Sequence, residues 1–157
     1  MNAPRTLHIV LNGVSEDSRV LKCAWSLGNA GWDVVVAGAT PFTYSDEFDI
    51  GYAKVIRLPL KIVLSKSLVA KIARRARYYK RRIEHYLRLK RTTGVPNLGR
   101  AVRSLTPLVL EFKPDVIHAH DYTALPIAAE LINKLKEIGF ESHLVYDAHE
   151  YVPGVAH

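Results

Sequence analysis

The chain is poor in the residues and runs that mark several common classes of protein. One cysteine, Cys23, stands among 157 residues. No intramolecular disulfide can form, no zinc ribbon can be built, and a reducing compartment is the expectation. No apolar run approaches the roughly 20 residues that a membrane-spanning helix needs. The opening Met1–Thr6 lacks the apolar region and small-residue cleavage site of a secretory signal, which points to a cytoplasmic protein. No Gly-x-Gly-x-x-Gly follows the first strand-like segment and no Walker phosphate loop occurs; Asn12-Gly13-Val14-Ser15 holds a single glycine. Dinucleotide binding through a Rossmann fingerprint is therefore disfavoured. His118, His120, His149 and nearby acids could be gathered into a metal site, but there is no helical His pair at four-residue spacing and no Cys–His pattern, so no metal is expected. Cys23 falls in the middle of a helical pattern, where a buried, inert thiol is the ordinary case.

What is present is a globular composition: 48% hydrophobic and 24% charged residues in a length that suits one domain. The net charge of +7 is unevenly placed. Between Lys61 and Arg91 stand twelve basic residues and one acid, Glu84, so that segment carries +11 and the remainder −4. A mildly acidic domain with a strongly basic insert over 61–91 points to a polyanionic partner, either anionic lipid or nucleic acid.

Helical and strand patterns alternate along the chain. Leu7–Leu11 reads as a buried strand and Ser15–Ala30 as a helix with Val20, Leu21, Ala24, Leu27 and Ala30 on one stripe. Asp17 or Ser15 is placed to cap it, and Gly31 to end it. Trp32–Gly38 is a continuous apolar strand of the kind a parallel sheet covers on both faces. Pro41–Gly51 reads as a polar, aromatic loop and Tyr52–Leu58 as a third strand. Ser65–Arg91 forms a long helix on the stripe Leu68, Ile72, Ala76, Tyr79, Ile83, Leu87. Asn97–Phe112 is a further helix with Pro107 as a kink or boundary. A fourth strand over 115–119, a helix over 123–138 with Pro126 in its first turn, and a fifth strand over 143–147 complete the pattern. The expected fold is α/β, a doubly wound parallel sheet of Rossmann-like kind.

Such sheets bind ligands beyond the carboxyl ends of their strands. Three of those ends hold polar groups for which a core has no use: Asn12-Gly13, His118-Ala119-His120-Asp121-Tyr122, and Tyr146-Asp147-Ala148-His149-Glu150-Tyr151. Strand alternation puts His118 and His120 on one side. With strands in the order 3-2-1-4-5, the first, fourth and fifth are neighbours and their ends converge. A lone histidine at a strand end is commonly structural, and Asp121 is equally placed to cap the helix after it; two His-plus-acid clusters on adjacent strand ends favour a functional reading.

Three stretches carry a resemblance. Asp17-Ser18-Arg19-Val20-Leu21-Lys22-x-Ala24-x-Ser26-Leu27-x-x-Ala30-Gly31-x-x-Val34, Lys113–Asp121 and Val145–Glu150 resemble the first helix with second strand, the fourth-strand signature, and the histidine-bearing strand end of the N-terminal half of GT-B glycosyltransferases of family 4. The resemblance leaves out roughly 41–100. It implies two Rossmann-like domains with a cleft between them, the N-terminal one holding the acceptor and the C-terminal one the nucleotide sugar, with retention of configuration and no metal or other cofactor. It assigns His149 beside the transferred sugar, in a role of positioning by hydrogen bonds to sugar or acceptor hydroxyls. His120, Asp121 and Glu150 would line the same cleft, and Gly13 would let backbone approach donor phosphates or acceptor. This sequence has one glycine there, where many members have two or more.

On that resemblance the chain is expected to be the acceptor-binding half of a sugar-nucleotide-dependent retaining hexosyltransferase acting on a glycan or lipid-linked acceptor. The donor domain lies outside these residues, in cis or in trans. The basic helix has two readings, a solvated face or an interfacial helix resting on the inner face of an anionic membrane, with Arg74, Arg75, Arg81 and Arg82 as contacts. The alternatives are a non-catalytic or split half that binds a partner chain, and a basic-arm nucleic-acid-binding α/β module; no recognised nucleic-acid motif is present.

Overall fold

A computed structural model describes residues 2–40, 44–59 and 98–148. The elements run β1 (Arg5–Ile9), α1 (Ser18–Asn29), β2 (Asp33–Ala39), β3 (Asp46–Asp49), β4 (Lys54–Leu58), α2 (Leu98–Phe112), β5 (Val116–His120), α3 (Asp121–Glu137) and β6 (His143–Asp147). They build a six-stranded sheet in the order β3-β4-β2-β1-β5-β6. All neighbours are parallel except β3 and β4. The five strands legible in the sequence take the expected order, and the fold is the expected Rossmann-like α/β sheet. The basic insert expected over 61–91 lies outside the described residues.

Register sorts the side chains onto two faces. Leu7, Ile9, Ile117 and Ala119 pack with Leu105 and Val109 of α2 and with Ile127, Leu131 and Leu135 of α3 in the larger core. Val10, Val34, Val36 and Val55 take the other face, under Val20 and Ala24 of α1. Every residue of both sets is buried, which is why β2 from Val34 on reads as an unbroken apolar run. At the far edge β6 is covered less: Leu144, Val145 and Tyr146 remain more than a third exposed.

Four local features depart from the sequence expectation. Residues 46–49, read as loop, form β3. The strand is only Asp-Glu-Phe-Asp, and charge across the pair holds it: Glu47 with Lys54 at 2.8 Å, and Asp46 with Arg57. The Arg57 guanidinium also lies 5.1 Å over the Phe48 ring. Three acids around one aromatic give no alternating apolar signal. Second, α1 starts at Ser18 because 12–17 is used in a turn: the Asn12 side-chain oxygen accepts from the Val14 amide at 2.8 Å, and Val14 takes φ +67°. Asp17 then caps the helix through the Val20 amide at 3.3 Å, and Gly31, at φ +87°, closes it as expected.

Third, α2 runs unbroken through Pro107. The proline removes one amide donor within the helix, and Leu105 and Val109, both buried on either side of it, hold the helix to the core. Finally, α3 begins two residues early. His120, still extended, passes through Asp121 at φ +68° directly into the helix, so Pro126 falls in its second turn rather than its first.

Candidate functional site

Three strand ends come together as the topology requires. β1, β5 and β6 are consecutive in the sheet, and the register sets His8 opposite His118, His118 opposite Val145, and His120 opposite Asp147. Directly paired residues of parallel strands point to one face. His8, His118, His120 and Asp147 therefore share a face, the one that carries α1 rather than α2 and α3.

His8 is the residue that sequence reasoning missed. It sits inside the apolar run Leu7–Leu11, and its polarity there was the available signal. It is completely buried, as is His120 to within 1%. The three rings pack on one another: His118 on His120 at 4.1 Å between centroids, His8 against His118 at 5.0 Å and against His120 at 5.2 Å. His8 Nδ1 and His120 Nε2 share a hydrogen bond of 2.9 Å. His120 Nδ1 lies 3.5 Å from an Asp147 carboxylate oxygen, an electrostatic contact longer than a good hydrogen bond.

The charges favour one tautomer. A proton on His120 Nδ1 faces the Asp147 carboxylate, which leaves Nε2 to accept from His8 Nδ1–H. The second nitrogen of His8, Nε2, is then an unprotonated lone pair, buried and without a hydrogen-bond partner. Burial, and then the neighbouring rings His118 and His120, lower the His8 pKa to about 3. Burial and His118 lower that of His120 to about 4, against the opposing pull of Asp147. Burial also lowers His118, again opposed by Asp147. All three rings are neutral at pH 7, so they act there as hydrogen-bonding groups or ligands rather than as cations.

A cleft of about 660 Å³ opens beside the end of β1, lined by residues 12–19 and Arg57. Gly13 lies on it, exposed, and a side chain added there would meet no protein atom within 4 Å. Behind this loop Gly38 is needed for packing: a Cβ would fall 2.3 Å from a Val14 methyl. Burial alone would raise the Asp17 carboxyl, but hydrogen bonds from Asn12 and the Val20 amide hold it below its ordinary value. Burial raises the Cys23 thiol, with the Asp147 charge adding to the effect, in keeping with an unreactive side chain.

Of the residues singled out in the sequence, Gly13, His120 and Asp121 are placed at the ends of β1 and β5, and Asp121 opens α3. The capping position itself falls on His120, whose side chain makes no cap bond. His149 and Glu150, two and three residues past the end of β6, lie outside the described residues, as do Arg74, Arg75, Arg81 and Arg82. Among the described residues no helix is long and apolar enough to cross a membrane.

Neither the family models nor the curated proteins gave a match. Among solved structures the chain is similar to sucrose-phosphate synthase from Thermosynechococcus elongatus, with a TM-score of 0.53 at 13% identity over 94% of this chain. The chain spans about a third of that protein, 33% of its length. At this identity the likeness is one of fold, a Rossmann-like α/β domain.

Proposed function

We propose that the chain is the acceptor-binding half of a retaining glycosyltransferase of GT-B architecture, similar to family 4, that moves a hexose from a nucleotide sugar to a hydroxyl of a glycan or lipid-linked acceptor. The observation that carries the reading is the junction of β5 with β6. His120 and Asp121 stand at the end of one strand, and Asp147, paired with His120, ends the next, two residues before His149. The fold likeness to a glycosyltransferase supports it. In the reaction the acceptor oxygen bonds to the anomeric carbon, the bond from that carbon to the nucleoside diphosphate breaks, and the hydroxyl proton leaves with the diphosphate. His120, bonded to His8 Nδ1 and facing Asp147, holds in place the β5 end at which the acceptor would sit. His149, Asp121 and Glu150 complete the acceptor contacts, and Gly13 leaves room for backbone approach. The donor domain acts in cis or in trans, and the transfer takes no metal cofactor.

The reading also places the protein in the cytoplasm, with the basic segment 61–91 against anionic lipid. Co-sedimentation with vesicles checks that part: binding indifferent to anionic lipid content, or none, would remove it.

The test of the main reading uses this chain itself. Titration with oligosaccharide and lipid-linked sugar acceptors, followed by amide chemical shifts, should move Gly13, His120 and Asp121 with the acceptor, and much less with nucleotide sugar alone. Shifts scattered away from these strand ends, or a response to the nucleotide only, would overturn the acceptor role.

A further inference from the structure

The three packed histidines have a second use that does not depend on the transferase reading. One ring nitrogen from each of His8, His118 and His120 can be chosen so that all lie within 4.8 Å of one another. Zinc binds imidazole nitrogen at about 2.0–2.1 Å, which sets neighbouring tetrahedral ligands roughly 3.3 Å apart. His8 Nδ1 and His120 Nε2 are 2.9 Å apart, close to that spacing.

Three further observations point the same way. The rings come from adjacent parallel strands, two of them at alternate positions of β5, so the sheet fixes their spacing before any ion arrives. His8 Nε2 is buried with no hydrogen-bond partner, an expensive state that the cluster has not resolved within itself. Asp147, 3.5 Å from His120 Nδ1, stands where a carboxylate commonly orients a ligating histidine and raises its basicity. The expectation against a metal rested on local sequence spacing; His8 is 110 residues from His118 and enters only through the register of β1 with β5.

We infer that His8, His118 and His120 form a binding site for a divalent transition metal ion of the zinc class, with Asp147 orienting His120. Three nitrogen ligands from neutral imidazoles suit zinc, copper or nickel rather than magnesium or calcium, and they leave one coordination position for water or a small ligand. The ion is not a cofactor of the transfer proposed above.

The experiment is a titration of the metal-free chain with Zn2+ in competition with a chromophoric chelator, paired with Co2+ absorption to report tetrahedral nitrogen coordination. One equivalent should bind with micromolar affinity or better. His118→Ala, at the half-buried ring, should weaken it at least tenfold with the fold intact by circular dichroism; His8→Gln should do the same. His143→Ala should leave it unchanged, as should the triple replacement of His85, His149 and His157 by Ala. Loss of binding in the triple variant, retention of full affinity in His118→Ala, or no stoichiometric binding at all would each overturn the site.

Discussion

Lowering the pH from 7 towards 4 in metal-free buffer should strip several kcal/mol from the fold, before the carboxylates begin to titrate. His8 is neutral in the folded chain down to about pH 3, and His120 down to about pH 4. Both ionise near 6.5 once unfolded. The depressed value fixes the sign. Above pH 6.5 both states are neutral and there is no effect. Below it the unfolded chain takes up protons that the folded chain refuses, so stability falls with pH, by up to about 1.4 kcal/mol per unit for each such group. The loss runs from pH 6.5 to about 4 for His120 and on to about 3 for His8, and His118 adds to it in the same direction. Set against the roughly 5–15 kcal/mol of a typical domain, this brings acid unfolding to around pH 4–5. Asp17 and Asp46, whose pKa values are lowered, contribute only beneath that window. Urea unfolding at half-unit steps between pH 7 and 4.5 measures the slope. His8→Leu should reduce the slope by about half, whatever it does to stability at pH 7, because one of the two strongly shifted groups is gone. A stability that stays flat across this range would show that the rings are hydrated and free to protonate.

The parts of the fold that could be read from the sequence are those in which one segment announces itself. Apart from Asp33 and His8, Trp32–Gly38 and Leu7–Leu11 are apolar because helices cover both faces, and Gly31 and Asp17 mark the ends of α1 by their own backbone chemistry. β3 was hidden because its stability is stored in another strand: Asp46 and Glu47 make sense only beside Arg57 and Lys54. Pro107 looked like a boundary because its local cost is visible in sequence, whereas the burial of Leu105 and Val109 that outweighs it is not. The same division runs through the site. His118 and His120 could be put on one side of a strand by alternation alone. That His8 joins them depends on β1 lying next to β5 with His8 opposite His118, a register that no local pattern encodes. Inside Leu7–Leu11 a single histidine does not break the apolar pattern; in the fold it is half of a buried hydrogen bond.

In a protein that joins this chain to a nucleotide-sugar-binding domain, His149→Ala should cut turnover by on the order of 100-fold, the scale of one misplaced contact in a closed active site. The last residue of β6, Asp147, is paired with His120, and His149 follows two residues later in the sequence. Strand ends of a doubly wound sheet are where ligands bind, and β6 ends at Asp147, two residues before the substituted position. The loss should therefore appear in turnover, with the unfolding midpoint unchanged. His120→Asn provides the complementary measurement. It keeps a hydrogen-bonding side chain in the buried position, and on the acceptor reading it should raise the acceptor KM more than it lowers kcat, since His120 shapes the acceptor end of β5 without moving a proton. His143→Ala, at the opposite end of β6 and exposed, changes the same strand and the same residue type without approaching the site, and should leave both constants as they were. Wild-type turnover in His149→Ala would remove the histidine from the chemistry. A fall in kcat with His120→Asn equal to that of His149→Ala, at unchanged KM, would instead make His120 the group that acts in the transition state and leave acceptor binding to other residues.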